Sequence, residues 1–271
     1  MVVVVTTVFS VYGYPLEVTF KKLSEMGVKE VELGGYEEKF TTTSYWRLLK
    51  QIAKEYGIQI VGCNLPGTVG PPLKYINTSY SSGSDEWVEK LRGYVEICNE
   101  VGVSFITMNE GILPSGVKEQ AVWSLLVETL RRGAEVAMEN GILIVNEFHI
   151  DMFASTLEKA PKLISEVGSD SFKACLDLSH ADLITGGHPE KFIRALGNIG
   201  HVHLTDCDGT KWRTTQPTHL PIGFGRINID GCIQSIKKTG YKGYWSLCLY
   251  GIPYPEWAVS KSLKALEKFC L

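Results

Sequence analysis

The feature that most constrains the fold is a local pattern that recurs along the chain. A segment with helical character ends in glycine, and a run of apolar residues begins directly after it. The pattern occurs at Gly27, Gly57, Gly102, Gly141 and Gly240. Glycine adopts the left-handed conformation that closes many helices. Each occurrence therefore predicts a helix that ends and a strand that begins.

Eight apolar runs of strand length follow from this pattern and from looser versions of it. They span residues 2–7, 28–33, 58–63, 103–108, 142–147, 172–177, 199–204 and 244–249. The segments between them place apolar residues on one helical face, as in 87–98 and 122–137. Eight strands that alternate with helices in roughly 250 residues are typical of a (β/α)8 barrel. We therefore predict an α/β chain with one TIM barrel domain over residues 1–271; a doubly wound open sheet is the alternative.

The composition argues against several classes of partner. The 271 residues are 44% hydrophobic, carry a net charge of −3 and contain no basic tract that would suit a nucleic-acid backbone. No apolar run approaches the roughly 20 residues of a membrane span. The seven cysteines form no CxxC pair, and the start MVVVVTTVFS indicates a first strand, because it lacks the basic region of a signal peptide. We expect a soluble cytoplasmic protein with reduced thiols. The sequence leaves open whether the protein forms a homo-oligomer.

Carboxylates and imidazoles accompany three consecutive apolar runs in the stretch 142–206. They are Glu147 and His149 at the end of the fifth run, Asp177 and His180 at the end of the sixth, and His201, His203 and Asp206 in and after the seventh. The carboxyl ends of barrel strands form the face that carries the active site in this fold. Such side chains suit a divalent ion such as Mn²⁺, Mg²⁺ or Zn²⁺. Alternatively, they are polar plugs of the barrel mouth that hydrogen-bond to one another.

Several motifs, in this order, resemble the xylose isomerase-like TIM barrels. They are Glu-x-His at 147–149, Asp-x-x-His at 177–180, His-x-His-x-x-Asp at 201–206, LPIGFGRIN at 220–228 and GYKGY at 240–244. That superfamily includes sugar-phosphate isomerases and epimerases, ketose 3-epimerases, inosose dehydratases and endonuclease IV. The resemblance implies a metal-dependent isomerase or epimerase for a sugar, a sugar phosphate or a polyol. Such an enzyme would act by proton transfer next to a carbonyl at the barrel mouth.

The resemblance also implies a ligand set for one divalent metal. Glu147, Asp177 and His203 stand at the positions of the ligands after the fifth, sixth and seventh strands. Cys248 stands where the family has a glutamate after the eighth strand, and residues 241–255 contain no acid. In epimerases of this type two metal-bound glutamates also move the proton. The absence of the second one puts the usual two-base epimerisation in doubt.

Two other functions remain as alternatives. The lost glutamate favours a non-catalytic or degenerate barrel that binds a sugar-like ligand. An endonuclease IV-like phosphodiesterase would need histidines after the third and fourth strands, but no histidine precedes His149 in the sequence. Only His219, behind Pro217, matches the last motif of that enzyme. The endonuclease is therefore the less supported alternative.

Roles for single residues follow from the resemblance and from their chemistry. Glu147 would be the carboxylate base, and His180 would be a second catalytic group or bind the substrate. The side chains predicted to contact a sugar-like substrate are His149, Lys211, Arg213, Trp245 and, as further aromatic candidates, Tyr12, Tyr36 and Trp212. Each of them also has a purely structural alternative. The histidine could be hydrogen-bonded within the core, the basic residues could be solvated in a loop, and the aromatic rings could serve packing alone.

The eighth run determines how Cys248 is interpreted. Alternation along a strand puts Ser246 and Cys248 on one face and Leu247 and Leu249 on the other. The leucines suit the layer against the helices, so Cys248 is predicted to point into the barrel. A thiolate ligand there would favour zinc. If Cys248 is not a ligand, water or Glu110 would complete the metal shell.

Three local signals complete the prediction. Ser155 and Glu158 have the spacing of a capping box. Pro189 and Pro255 suit first helical turns. Glu32, near the end of the second run, either lines the cavity or forms a structural ion pair.

Overall fold

Eight parallel strands close into a barrel in the computed structural model, which describes residues 3–6, 14–34, 42–66, 68–76, 82–213, 216–252 and 254–269. The barrel strands are β1 (Val3–Thr6), β2 (Glu30–Leu33), β3 (Gln59–Asn64), β4 (Phe105–Met108), β5 (Leu143–Glu147), β6 (Phe172–Asp177), β7 (Ile199–Leu204) and β10 (Trp245–Leu247). They pair in this order, and β10 returns to β1 through Trp245 and Val3. The predicted (β/α)8 barrel is confirmed.

Helices alternate with the strands and pack around the ring. They are α1 (Leu16–Glu25), α2 (Thr43–Glu55), α3 (Ser82–Val101), α4 (Glu119–Glu139), α5 (Lys159–Val167), α6 (Leu178–Ile184), α7 (Pro189–Leu196), α8 (Ile229–Lys238) and α9 (Pro255–Leu266). An antiparallel hairpin of β8 (Lys211–Arg213) and β9 (Gln216–Pro217) follows β7. Short 3-10 helices lie at Pro72–Lys74 and Glu267–Phe269. Across the ranges given above, no helix has both the length and the apolar character that a membrane crossing requires.

Most helix boundaries agree with the prediction. Gly141 follows α4 with a φ of 66°, and the N–H of Ile142 donates to the carbonyl of Ala137 at 2.9 Å. This hydrogen bond closes the helix and turns the chain directly into β5. Pro189 and Pro255 open α7 and α9 as predicted.

The start of α5 differs from the prediction. The helix begins at Lys159, whose N–H donates to Oγ1 of Thr156 at 3.0 Å. The Ser155 hydroxyl is buried without a hydrogen-bond partner among the described residues. A capping box needs its acid three residues into the helix, but Glu158 directly precedes α5. The predicted pairing of Ser155 with Glu158 is therefore wrong.

Apolar side chains fill two layers. The larger layer lies between the strands and the helices and includes the predicted faces of α3 and α4. The smaller layer lies inside the barrel and consists of Val61, Phe105, Val145 and Cys175. On β4, β5 and β6 the inward positions two residues further along are polar, at Thr107, Glu147 and Asp177. The inner apolar layer therefore forms the floor of a polar mouth at the carboxyl ends of the strands.

Gly62 of β3 leaves room for the Phe105 ring in the inner layer. A Cβ atom at residue 62 would lie 2.1 Å from that ring. The substitution Gly62→Ala is therefore expected to lower the free energy of unfolding by about 1–3 kcal/mol in a urea titration. Gly93→Ala in α3 is the control, because a Cβ there meets nothing within 4 Å. The control is expected to be neutral or to stabilise by up to about 1 kcal/mol, and equal stability of both variants would contradict this account.

Candidate active site

A buried carboxylate, Glu32 of β2, lies at the centre of the mouth. Its oxygens accept hydrogen bonds from the hydroxyl groups of Thr107 and Ser246 at 2.7 Å. They also lie 3.0–3.2 Å from the Nε2 atoms of His201 and His203. Burial raises the pKa of Glu32, but the nearby His203 and His201 outweigh burial and hold the pKa well below its ordinary value. Glu32 is therefore ionised and connects β2 with β4, β7 and β10.

Glu32 fixes the orientation of His203. Because Nε2 of His203 faces Glu32, its Nδ1 points away, 2.7 Å from Oε1 of Glu147 and 3.9 Å from Oδ2 of Asp177. Burial lowers the pKa of His203, but Cys175 and the two glutamates outweigh it and hold the pKa well above its ordinary value. A carboxylate behind an imidazole is common at metal-binding histidines, since it fixes both ring and tautomer.

Glu147, the last residue of β5, is held between two imidazoles. Its Oε2 lies 2.6 Å from Nε2 of His149, and its Oε1 faces His203. Burial raises the pKa of Glu147, but His149 and His203 outweigh it and hold the pKa well below its ordinary value. Burial alone would lower the pKa of His149, but the charge of Glu147 outweighs burial and holds this pKa above its ordinary value. Glu147 is therefore ionised at neutral pH, the state in which a carboxylate accepts a proton.

His180 covers His149 from the first turn of α6. The two rings stack with centroids 4.3 Å apart and planes 11° apart. Nδ1 of His180 accepts the N–H of Ile150 at 3.0 Å. Burial, and then the charge of His149, lowers the pKa of His180 to about 3. The ring is neutral and carries its proton on Nε2, which can donate to an oxygen atom of a substrate.

Asp177 has one oxygen in a helix cap and one without a partner. Oδ1 accepts from the N–H groups of Ser179 and His180 at 2.8 and 3.0 Å and from the Ser179 hydroxyl at 2.5 Å. Oδ2 is buried with no hydrogen-bond partner in the described part of the chain, and Nε2 of His219 lies 3.6 Å away. Burial raises the pKa of Asp177, but the neighbouring His219 outweighs burial and holds the pKa below its ordinary value. A buried charged oxygen without a partner is costly, so this site fits a bound cation.

Four sets of side chains in the described residues bring their ligand atoms within 4.8 Å of one another. They are Glu32-His201-His203, Glu147-Cys175-His203, Glu147-His149-His180 and Asp177-His219-Cys248. None of these sets contains all three predicted ligands; Nδ1 of His203 connects them, 2.7 Å from Oε1 of Glu147 and 3.9 Å from Oδ2 of Asp177, and their role as ligands stays a prediction. The last set adds His219, which the sequence related only to an endonuclease motif. Its position beside the LPIGFGRIN run was the signal that could have identified it.

The β8–β9 hairpin lies over the rim of the mouth. Lys211 pairs with Asp151 in the loop after β5, and the side-chain nitrogen of Gln216 lies 3.5 Å from Nδ1 of His149. Arg213 stacks on the neighbouring tryptophan ring, with 4.3 Å between the guanidinium carbon and the ring centroid. Lys211 and Arg213 are therefore rim residues, and their contact with a substrate stays a prediction.

Alternation along β10 decides the roles of Trp245 and Cys248. Ser246 points into the barrel, where its hydroxyl binds the central carboxylate. Trp245 points the other way, is fully buried and has its ring centroid 5.4 Å from that of Tyr241. The predicted substrate contact of Trp245 is therefore wrong. Cys248, two residues beyond Ser246, faces the mouth as a member of the fourth set.

Two other carboxylates hold loops. Asp206 accepts from four backbone N–H groups at 2.8–3.1 Å, three of them in the segment 223–227. Glu110 accepts from the side chain of Asn146 at 2.9 Å and from the N–H of Ala154 at 2.8 Å. Asp206 as a ligand therefore disagrees with the structure, whereas Glu110 accepts one hydrogen bond at each oxygen and its role as a substitute acid stays a prediction. The aromatic candidates at positions 12 and 36 lie outside the described residues.

A family model described as the xylose isomerase-like TIM barrel matches residues 20–269 of the chain. The match includes every barrel strand except β1. The chain belongs to the xylose isomerase-like TIM barrel family. The resemblance that the ordered motifs indicated is thereby confirmed.

Relatives of this xylose isomerase-like barrel include several sugar isomerases. Hydroxypyruvate isomerase from Escherichia coli (strain K12) is 27% identical, over 61% of this chain and 62% of that protein. Inosose isomerase from Halalkalibacterium halodurans is 23% identical, over 72% of this chain and 70% of that protein. An uncharacterized protein of Methanocaldococcus jannaschii is 28% identical, and the match spans 55% of its length. The chain thus matches less than two thirds of the first and the last of these relatives.

Solved structures with the same fold cover almost the whole chain. A D-tagatose 3-epimerase-like protein superposes with a TM-score of 0.78 at 23% identity, over 100% of this chain and 97% of that one. The IOLI protein with a bound zinc atom has a TM-score of 0.76 at 18% identity, over 98% and 97% of the two chains. A xylose isomerase-like barrel from Mycobacterium smegmatis in complex with magnesium has a TM-score of 0.72 at 14% identity, over 93% and 87%. At these identities the likeness establishes the shared fold.

Proposed function

We propose that this barrel is a sugar isomerase that moves a proton between neighbouring carbons of a small hydroxy-carbonyl substrate. One observation carries the proposal. An ionised carboxylate, Glu147, lies at the mouth between His149 and His203, beside the unpartnered oxygen of Asp177. The relatives named hydroxypyruvate isomerase and inosose isomerase support this reaction class.

Glu147, Asp177 and His203 would hold a divalent metal in this proposal. Two carboxylates and one imidazole are ligands that Mg²⁺, Mn²⁺ and Zn²⁺ accept. A cation bound there would polarise the substrate carbonyl and acidify the carbon beside it, which compensates for the low basicity of Glu147. Glu32 would keep Nδ1 of His203 directed at the mouth, because it occupies Nε2 of the same ring.

Glu147 would take the proton from the carbon next to the carbonyl and return it to the former carbonyl carbon, while a second proton passes from the substrate hydroxyl oxygen to the carbonyl oxygen. Its neighbours keep it ionised, so it is available as a base at neutral pH. His149 would hold Oε2 through its hydrogen bond, and Oε1, which faces Nδ1 of His203, would be the oxygen that takes the proton. His180 would donate its Nε2 proton to a substrate oxygen and so position the sugar chain.

The missing second carboxylate favours isomerisation over epimerisation. Inversion at one carbon requires removal of a proton from one face and its return on the opposite face, which ordinarily needs two proton-transfer groups. Cys248 stands where the second glutamate is expected, and burial holds the pKa of its thiol well above the ordinary value. Transfer between neighbouring carbons on one face needs a single base, and Glu147 is sufficient for it.

Turnover in heavy water tests the proposal. Hydroxypyruvate, inosose, D-tagatose and D-psicose would be incubated in D₂O with Mg²⁺, Mn²⁺ or Zn²⁺ and followed by NMR. We expect an isomer of one substrate with deuterium at the carbon that receives the proton. Removal of metal by a chelator is expected to lower this turnover by at least about 100-fold, and added metal to restore it. Binding of a sugar without formation of any isomer would contradict an enzyme and favour a non-catalytic barrel.

A further inference from the structure

The mouth contains a set of donors that determines which metal it would select. We propose that His219 and Cys248, in place of Glu147, join Asp177 in binding the metal ion through a nitrogen, a sulfur and an oxygen atom, and that the thiolate selects zinc-type ions over Mg²⁺ and Mn²⁺. What the ion does in catalysis rests on the proposed function. Its binding can be measured without turnover.

The free oxygen of Asp177 is the first of the three donors. Asp177 is only 3% exposed, so Oδ2 has little access to water. Oδ1 is already occupied by the cap of α6, which fixes the carboxylate and aims Oδ2 at His219. No described residue donates a hydrogen bond to Oδ2. A buried charged atom in this state points to a cation as its partner.

His219 is the second donor, and its tautomer is determined by its neighbours. Nδ1 lies 3.0 Å from the carbonyl oxygen of Pro217, which only accepts, so Nδ1 carries the ring proton. Nε2 then has a free lone pair, which faces Oδ2 of Asp177 at 3.6 Å. The Ser179 hydroxyl lies 3.3 Å from Nε2, but it donates its proton to Oδ1 of Asp177 at 2.5 Å. When the ring of His219 is neutral, its lone pair and that of Asp177 face each other without a proton between them, so a metal ion can take the position that a proton takes in the metal-free protein.

Cys248 is the third donor. Its sulfur lies within 4.8 Å of the ligand atoms of Asp177 and His219. The alternation of β10 directs it into the mouth on the side of Ser246. A bound metal deprotonates a coordinating thiol outright, so the neutral thiol of the metal-free chain becomes a thiolate ligand on binding.

The spacing of Asp177 and His219 agrees with two ligands of a tetrahedral zinc site. Ligand atoms about 2.0–2.3 Å from a zinc ion lie roughly 3.3–3.8 Å from one another. The 3.6 Å between Oδ2 of Asp177 and Nε2 of His219 falls within this range. Nδ1 of His203, 3.9 Å from Oδ2 of Asp177, is placed to contribute a fourth donor.

The other three sets are less suited to selecting an ion. In the set around Glu32, both carboxylate oxygens already accept hydrogen bonds from hydroxyl groups and face imidazoles. In the two sets around Glu147, each oxygen already lies within 2.7 Å of an imidazole nitrogen. Among the four sets, only the one around Asp177 contains both a thiol and a carboxylate oxygen without a hydrogen-bond partner. Because thiolate is a poor ligand for Mg²⁺ and Mn²⁺, this set predicts that the site selects zinc-type ions.

Cobalt spectroscopy tests the binding directly. Metal-free protein would be titrated with Co²⁺, which reports thiolate ligation as a charge-transfer band in the near ultraviolet. We expect the band in the wild type and in Cys232→Ser, whose thiol lies buried in α8, and its loss in Cys248→Ser. Zn²⁺ affinity, measured against a chromophoric chelator, is expected to fall by more than about 100-fold in Cys248→Ser, since changes beside a ligand already cost about 10–100-fold. His219→Gln is expected to weaken Zn²⁺ binding and to keep the thiolate band at higher cobalt concentration.

The outcomes separate this inference from the proposed function. Cobalt bound without the band, with equal affinity in wild type and Cys248→Ser, would overturn the thiolate site. So would turnover that Mg²⁺ alone supports equally well in both proteins, and the isomerase proposal would then stand. A band that depends on Cys248, together with no isomer formed from any of the sugars, would support the metal site and contradict the isomerase. Near-ultraviolet circular dichroism checks that each variant keeps the wild-type fold.

Discussion

Replacement of Glu147 by glutamine is expected to lower kcat by about 10²–10⁴-fold, the range that a positioned general base contributes. Glutamine has the size of glutamate but cannot accept the proton. Glu147 lies in contact with two imidazoles at 2.6 and 2.7 Å, and a glutamine amide can keep part of these contacts. We therefore expect a folded variant. The assay uses the substrate found in the deuterium experiment, at saturating metal, so that weaker metal binding does not mimic lost proton transfer.

Glu135→Gln is the matched control for this variant. It makes the same chemical change at an exposed position of α4 and is expected to keep the kcat of the wild type. If Glu147→Gln turned over as fast as this control at saturating metal, Glu147 would not be the base. An unfolded Glu147→Gln would instead be recognised by its circular dichroism spectrum before any kinetic comparison.

The second large effect is expected at Glu32. Glu32→Ala removes the carboxylate that two hydroxyl groups and two histidines share. Removal of one partner from a buried charged network typically costs about 3–5 kcal/mol, because the remaining groups stay buried without a partner. We expect the free energy of unfolding to fall by this amount in a urea titration. Loss of the contact between Glu32 and Nε2 of His203 is also expected to weaken metal binding by about 10–100-fold.

Glu30→Ala provides the control on the same strand. Glu30 lies two residues earlier on β2 and is partly exposed, so its removal is expected to cost less than about 1 kcal/mol. Glu32→Gln keeps the size of the side chain and is expected to lose less stability than Glu32→Ala. A Glu32→Ala variant as stable as Glu30→Ala would show that the carboxylate does not hold the strands together.

The sequence predicted the barrel because its signals are local. A glycine that closes a helix and an apolar run that follows it act within a few residues, so the pattern around Gly141 specifies both the end of α4 and the start of β5. The same locality made Glu147, Asp177 and His203 recognisable. Each lies at or near the carboxyl end of its strand, and in a parallel barrel those ends share one face.

Local signals gave wrong predictions where the position of a side chain depends on contacts with other helices and strands. Ser155 and Glu158 have the spacing of a capping box, but the helix begins after both. Trp245 is an aromatic residue near the end of a strand, yet the inward position belongs to Ser246. The face of a short strand is set by its register against both neighbours, and for β10 these are β7 and β1.

The sequence by itself determined the order of strands and helices and the residues that end each strand. The tertiary structure alone decided that Glu32 lies at the centre of the site and that His219 and Cys248 face Asp177. Glu32 binds Ser246, which is 214 residues away in the chain, and no local pattern reports such a pair. Closure of the barrel and the register of its strands bring these side chains together, because each strand then directs every second residue toward one common axis.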